Sequence, residues 1–378
     1  MSLTRLLNHN KQIKELFKSI PNMKQFFQTL NEGPAFPVKA PIIVKSDGRA
    51  NPIVGHAYDY WLRAFIQRIN NRLQENDSLV AYQGLSLLFT EKKFFDKDAY
   101  KYHLPFIKEE EKEFGNYYYE TYLKMKEENK TSDEWFEAVL DYIHEKYTDE
   151  ILENMELKFF GDFTITTHYS EGEIIYVNII ERRNSYILGE SVDDTQLMED
   201  CMILGNLDAF YRSNYIHEQG VFYVSEKDIT DLLNLTRETQ KFSSLFIMNH
   251  TLICNPSFEK ASILVGGADA DILIDSTLIE IKTESQFGYK ADHMSQLIGY
   301  YILSLFTPSF PKIDKLAIYN SRFCRYVYIN IDDIFDYFDL IGFAKEFIEI
   351  LLERNSLLNK DKDVIQQSFV TKTKDFQK

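Results

Sequence analysis

Apolar residues recur with helical spacing along most of the chain, and this spacing predicts that the first two thirds are largely helical. One helix is expected to begin near Gly55, within IVGHAYDYWLRAFIQRI at 53–69, where apolar and aromatic residues recur at i, i+3 and i+4. The following stretches have the same spacing: 3–31, 81–157, 193–213 and 227–239. NEGPAFPVKAP, with three prolines and a glycine, interrupts the first helical region and predicts a connector.

Short segments in the last third alternate with period two and therefore predict strands. These segments lie at 261–265, 269–274, 277–283, 315–319 and 325–330. A helical stretch at 291–306 separates them, and another follows at 331–354. Strands, a helix and then further strands predict a mixed sheet with helices packed on it, which is an α/β (α+β) fold class. A separate hairpin is expected at 163–179, where FTITTHYSEGEIIYVNI alternates around a polar turn.

Composition fits a globular protein, because 44 % of the 378 residues are apolar and a sizeable core can form. No secretory signal pattern is present, so a cytoplasmic protein is expected. The longest nearly apolar run, LIGYYILSLF at 297–306, is about half of a membrane-spanning length and is typical of a buried helix, so no membrane partner is expected. The three cysteines form no CxxC pair and are expected to be buried thiols, while histidine spacing predicts no zinc site.

The net charge of −16 is unevenly distributed, and this matters for the choice of partner. Residues 106–156 hold sixteen acidic and six basic side chains, so they contribute −10 of the total. The mixture of Glu and Lys there is typical of exposed helical faces. The rest of the chain carries only −6, which leaves room for a local basic groove that binds nucleic acid.

GGADADILIDSTLIEIK, at 266–282, predicts a hairpin with a two-residue turn at Asp275-Ser276. The following pairs are then expected to lie opposite each other: Ile274 and Thr277, Ile272 and Ile279, Asp271 and Glu280, Asp269 and Lys282. One face of this hairpin is apolar and belongs in a core. The other face carries two acids that repel each other across the strands.

Two interpretations of that charged face remain open. It is either an exposed surface on which Asp269 and Lys282 form an ordinary ion pair, or a site where a divalent cation lies between Asp271 and Glu280. Mg²⁺ or Mn²⁺ suits the second interpretation, since Mg²⁺ uses one or two carboxylates and fills its other positions with water and phosphate. Lys282 would lie beside that water, where its ammonium would offset charge that develops in phosphodiester hydrolysis, and Asp269 would orient Lys282.

Asp271 and the Glu280-Ile281-Lys282 tripeptide resemble the D…ExK motif of the PD-(D/E)XK nuclease superfamily, although no proline precedes the aspartate. Gln296 and Tyr300 resemble the QxxxY motif of its RecB-like exonuclease branch, and a spacing of four puts both on one helical face. Gly55 to Asp59 is similar to the upstream GxxxH motif of that branch, with aspartate in place of histidine. A structural interpretation of Asp59, in which it interacts only with the helix dipole, stays open.

The resemblance implies a restriction-endonuclease-like mixed sheet and a Mg²⁺- or Mn²⁺-dependent nuclease in phage defence or DNA processing. The catalytic residues would be Asp271, Glu280, Lys282 and Gln296, the substrate would contact Tyr300, and the metal ligands would be Asp271, Glu280 and Asp59. DNA is the expected substrate, and RNA stays open. The competing hypothesis is a catalytically silent protein of the same fold that binds nucleic acid or protein.

The resemblance also implies a domain organisation in four parts. These are N-terminal helices with the first core helix at 1–84, a mainly helical insertion at 85–255, the catalytic core with C-terminal helices at 256–357, and a polar, partly disordered tail at 358–378. The insertion would determine substrate choice, bind a protein partner or mediate homo-oligomerisation. Arg322 and Arg325 are expected to be solvated, with phosphate contact as the alternative.

Overall fold

Five strands pair into one mixed sheet in the order β1-β2-β3-β4-β5. Their bounds are β1 Leu252–Cys254, β2 Ile272–Ile274, β3 Thr277–Lys282, β4 Lys315–Asn320 and β5 Arg325–Asn330. Only β3 and β4 are parallel, and the other neighbours are antiparallel. This arrangement confirms the mixed α+β class. The computed structural model describes residues 3–21, 42–46, 51–74, 79–90, 171–285, 290–354 and 362–373.

The described residues also form twelve α-helices. In chain order they are α1 Leu3–His9, α2 Lys11–Phe17, α3 Pro52–Ile69, α4 Leu79–Thr90, α5 Glu171–Ile187, α6 Asp194–Ser213, α7 Glu226–Gln240, α8 Glu259–Val265, α9 Ala291–Leu305, α10 Ile331–Phe335, α11 Leu340–Arg354 and α12 Lys362–Thr373. None of these helices combines the length and the apolar character that crossing a membrane requires. All three cysteines are buried thiols, as expected.

The chain divides into two units with separate sets of internal contacts. One comprises Met1–Asp77, Ile187–Gly189 and Ser225–Lys378, and the other Ser78–Tyr186 and Glu190–Val224. In the second unit, α4 lies so close to α6 that a Cβ on Gly84 would collide with the Leu207 carbonyl oxygen. The expected insertion at 85–255 includes α7 and β1, which the contacts assign to the sheet unit.

Both faces of the sheet are buried. On one face, Leu273, Leu278 and Leu316 belong to a core cluster that also contains α9 residues such as Leu297. On the opposite face, the Tyr319 hydroxyl lies 3.1 Å from the Thr239 hydroxyl of α7, which lies 2.6 Å from the hydroxyl of Tyr58 on α3. The β2–β3 hairpin and its neighbour β4 are therefore covered by helices on both sides.

The turn at Asp275 and Ser276 has the expected position, and it produces the expected register in the paired part of the hairpin, from Ile272 opposite Ile279 to Ile274 opposite Thr277. Asp275 adopts φ 51°, a left-handed conformation that aspartate tolerates better than most residues. Its carboxylate accepts the backbone N–H groups of Asn249, His250 and Thr251 at 2.8–3.1 Å. Burial alone would raise the pKa of Asp275, but these hydrogen bonds lower the pKa to about 2.

We expect Asp275→Asn to lower the free energy of unfolding by about 1 kcal/mol at pH 7, discounted for solvent screening. Because the pKa of Asp275 is lower in the folded state, its contribution is present above the unfolded pKa of about 4 and is lost as the pH falls toward about 2. Urea unfolding of both proteins between neutral and acidic pH should show that the difference shrinks below about pH 4. Glu349→Gln, on the exposed face of α11, removes an equal charge and should show no such trend.

Several expected elements are wrong. Residues 261–265 are helical, because a short apolar run fits a buried strand or a helix equally well and Gly266, at φ 76°, ends it as a helix cap. Of the hairpin expected at 163–179, residues 171–179 lie in α5 and the remainder falls outside the described residues. The strand β1 at 252–254 was not expected.

The C-terminal tail, which was expected to be partly disordered, contains the helix α12. Phe369 of α12 stacks on Phe306 with ring centroids 4.6 Å apart. The Lys372 ammonium donates to the carbonyl oxygens of Ser304, Thr307 and Phe310 at 2.6–2.9 Å, and thereby caps the end of α9. Tertiary contacts therefore order a segment whose polar composition predicted disorder. The expected connector and most of 81–157 fall outside the described residues.

Candidate active site

The end of β3 carries the first two site residues. Glu280 and Lys282 alternate along the strand and therefore point to the same face, which α9 covers. Glu280 is only 3 % exposed, and the Lys282 side chain is 19 % exposed. The interpretation of this face as a solvated surface is therefore wrong for Glu280.

Asp271 directly precedes β2 and turns its carboxylate toward β3. Its Oδ2 accepts the backbone N–H of Ile281 at 2.6 Å, next to Glu280 on the partner strand. The backbone N–H of Asn255 donates to the Asp271 carbonyl oxygen at 2.9 Å and holds the chain from the other side. The structure thus places Asp271 beside Glu280, as the hairpin register predicted.

Asp269 lies elsewhere. The ladder of the hairpin begins at Ile272, and Asp269 forms an isolated bridge with Ser257 instead. The expected pairing of Asp269 with Lys282 is therefore wrong, because the chain departs from the hairpin before it reaches Asp269. The partners of the Lys282 side chain come from β3 and α9.

A chain of hydrogen bonds holds the Lys282 ammonium in place. Its Nζ donates to Glu280 Oε1 at 2.5 Å and to Gln296 Oε1 at 3.3 Å. The Gln296 amide in turn donates to the Tyr300 hydroxyl at 2.9 Å. The four-residue spacing thus brings Gln296 and Tyr300 onto the face of α9 that meets β3.

Tyr300 is a buried residue, and its ring stacks on Phe258 with centroids 5.5 Å apart. Its hydroxyl points toward the amide of Gln296. The structure therefore gives Tyr300 a positioning role toward Gln296, and its direct contact with substrate stays a prediction.

Asp59 lies within the electrostatic field of the other acids. Burial raises its pKa well above the usual value, and the charges of Asp271 and Glu280 raise it further, against the lowering effect of Arg63 and Lys282. The helix α3 begins at Pro52, capped by the Asn51 side chain, so Asp59 lies two turns into it. The interpretation of Asp59 as a dipole partner is wrong, because that interaction is confined to the first turn.

Lys282 is a cation in this arrangement. Burial acts to lower its pKa, but the carboxylates of Glu280, Asp271 and Asp59 outweigh burial and raise the pKa above its ordinary value. With that proton held, Lys282 donates hydrogen bonds and offsets negative charge.

No protein-family model, curated protein or solved structure matches the chain. The functional proposal therefore depends only on the motifs and on the geometry of their residues.

Asp271 and Glu280 have the chemistry of part of a binding site for a divalent cation. Among the described residues, no group of three or more His, Cys, Asp or Glu side chains is arranged to hold a metal ion. Asp271 and Glu280 both lie near Asp59 and Lys282, since the charges of both acids raise the pKa of each of these groups, and the second oxygen of Glu280, Oε2, is buried. Mg²⁺ is often held by one or two carboxylates plus water and substrate phosphate, so this donor set suits it. The role of Asp59 as a third ligand stays a prediction.

One group beside the site was missed in the sequence. Glu284 accepts the Lys290 ammonium at 2.5 Å and lies 3.3 Å from His293 Nε2, across the start of α9. Burial acts to raise the pKa of Glu284, but these two partners lower it to about 2. The alternation of Glu280, Lys282 and Glu284 was the available signal, since period two continues the charged face beyond the strand.

Arg322 was also misjudged. It is 1 % exposed and forms a bidentate ion pair with Asp231 of α7, at 2.7 and 2.9 Å. Solvation and phosphate contact are both wrong for this residue. Arg325 is exposed, as expected.

Proposed function

We propose that this protein is a Mg²⁺- or Mn²⁺-dependent phosphodiesterase that hydrolyses nucleic acid, with DNA as the expected substrate. The observation that carries the proposal is the Lys282 ammonium, which joins the buried carboxylate of Glu280 to the amide of Gln296 beside Asp271. The two opposed acids can offer oxygen ligands to a cation. The lysine, which lies between these acids and α9, can donate hydrogen bonds to a phosphate.

Asp271 and Glu280 would hold the cation through their carboxylate oxygens. The cation, when bound, would lower the pKa of a water molecule and offset charge on the phosphate. The backbone N–H of Ile281 orients Asp271, so the position of this carboxylate is determined by the strand itself.

Lys282 would stabilise the negative charge that develops on phosphate oxygens as water attacks phosphorus and the bond to the leaving oxygen breaks. Its hydrogen bond to Gln296 determines the direction of the ammonium, and Tyr300 fixes the amide of Gln296. The buried setting strengthens these electrostatic interactions, because little water screens them.

The test is a cleavage panel with linear duplex, circular duplex, single-stranded DNA and RNA, each with Mg²⁺, Mn²⁺ or a chelator. We expect metal-dependent cleavage of at least one DNA form, and we expect Asp271→Asn to lower its rate by about 10²–10³-fold. Asp269→Asn is the matched control, since it removes the same charge two residues away and should retain cleavage.

Two results would contradict the proposal. Equal cleavage rates for Asp271→Asn and the wild type would show that this site does not take part in the reaction. Absence of cleavage on every substrate, together with no heat of Mg²⁺ or Mn²⁺ binding and retained nucleic-acid or protein affinity, would favour the non-catalytic binding protein.

A further inference from the structure

A cleft of about 540 Å³ lies between the α1–α2 helix pair and the first turns of α9. Polar side chains on its walls include Thr4, Asn8, Lys14, Lys18, Ser295 and Gln296. Gln296 also contacts Lys282 at 3.3 Å, so this residue belongs to both the cleft and the candidate active site. The cleft therefore opens next to the reacting centre.

The charge of the helix pair is opposite to that of the whole chain. Residues 3–21 contain Arg5, Lys11, Lys14 and Lys18 against the single acid Glu15, which is a net charge of +3 in a chain of −16. This is a local basic region, which the uneven charge distribution of the chain allowed. It lies in the unit that also contains the candidate active site.

The two lysines of the cleft are accessible to a ligand. Lys14 is exposed, and Lys18 pairs with Glu15 at 2.5 Å while both side chains are 59 % exposed. Exposed pairs of this kind contribute little, so a phosphate could replace Glu15 as the partner of Lys18. Asp292 of α9 is an acid that also lines the cleft.

The helix pair that forms one wall of the cleft packs on the core. Leu3 of α1 packs against Gly299 of α9, where an added Cβ would approach the leucine to 3.0 Å. Phe17 of α2 packs edge-on against Phe343 and Phe347, with ring centroids 5.0 and 5.4 Å apart. Apolar contacts of both helices therefore hold this wall against the sheet unit.

We infer that this cleft holds the sugar-phosphate backbone of a single nucleic-acid strand next to the active site, with Lys14 and Lys18 on its phosphates. The inference rests on the proposed function, since Gln296 joins the cleft to the site. A cleft of this volume is of the size that holds small ligands, so it has room for a short stretch of one strand.

The experiment measures binding of a labelled single-stranded oligodeoxynucleotide by the full-length chain, without metal, over a range of salt concentrations. We expect Lys14→Gln to weaken binding by about fivefold to tenfold and to lower the salt slope by about 0.7, the value for one phosphate contact on a single strand. Lys11→Gln is the matched control, because Lys11 is on the same helix and lines a separate depression beside Glu346. It should leave affinity within about twofold of the wild type.

The outcomes separate this inference from the proposed function. Selective loss of binding in Lys14→Gln supports the cleft even if no cleavage is found with any metal. Equal losses in Lys14→Gln and Lys11→Gln overturn it even if the protein cleaves DNA, and so does stronger binding of a duplex than of a single strand. Absence of single-strand binding by the wild type also overturns it.

Discussion

Lys282→Met is expected to lower the rate of metal-dependent cleavage by about 10²–10⁴-fold while the protein stays folded. Methionine keeps most of the side-chain volume but removes the charge that faces Glu280 and Gln296. The carboxylates that surround this ammonium raise its pKa, so its loss removes a positive charge from the place where the phosphate is proposed to bind. The effect should therefore fall on the chemical step more than on substrate affinity.

Single-turnover cleavage and nucleic-acid affinity should be measured on the same preparation, with circular dichroism to check the fold. Lys290→Met is the matched control, because that ammonium pairs with Glu284 on the more exposed side of the site. It should retain cleavage within about tenfold of the wild type. A Lys282→Met protein that cleaves as fast as the wild type would refute the assigned role.

Arg322→Met is expected to lower the free energy of unfolding by about 3–5 kcal/mol. The guanidinium is 1 % exposed and its partner Asp231 is 8 % exposed, so the substitution leaves a buried carboxylate without its cation. The backbone of Arg322 also accepts the N–H groups of Ile43 and Val44, at 2.9 and 3.0 Å. Loss of the side chain keeps these backbone hydrogen bonds but removes the contacts of the guanidinium with Asp231 of α7 and with the Val44 carbonyl oxygen, at 3.4 Å.

Urea or thermal unfolding measures this effect, and a second substitution identifies its cause. If the penalty comes from the stranded charge, Asp231→Leu added to Arg322→Met should recover part of the lost stability. Arg325→Met removes an exposed arginine three residues away and should change stability by less than about 0.5 kcal/mol. A loss below about 1 kcal/mol in Arg322→Met would contradict the expectation.

Local pattern was sufficient for most of the fold. The strands β2 to β5 and the helices α3, α6, α7 and α9 lie within one to three residues of their expected bounds. Each has a clear period and a turn or cap at its end, such as the Asn51 cap of α3. The failures came where the period is ambiguous, as in the five residues at 261–265, or where long-range packing decides, as in α12.

The relations among the candidate site residues are likewise of two kinds: those that local pattern predicts and those that depend on long-range packing. Alternation and the turn at Asp275 predicted that Asp271 lies beside Glu280, and the four-residue spacing put Gln296 and Tyr300 together. The same register wrongly placed Asp269 opposite Lys282. The first two relations each lie within a single hairpin or a single helix, so the local sequence pattern is sufficient to predict them.

Strand and helix periods are local properties, so the sequence was sufficient to show which residues of β3 share its charged face and which residues share one face of α9. The tertiary structure was needed to show that α9 packs on that face and gives Lys282 its second partner, Gln296. It also decided that Arg322 is buried against Asp231 and that a basic helix pair borders the site. These contacts join residues far apart in the chain, and no local period determines which distant element will cover a given face.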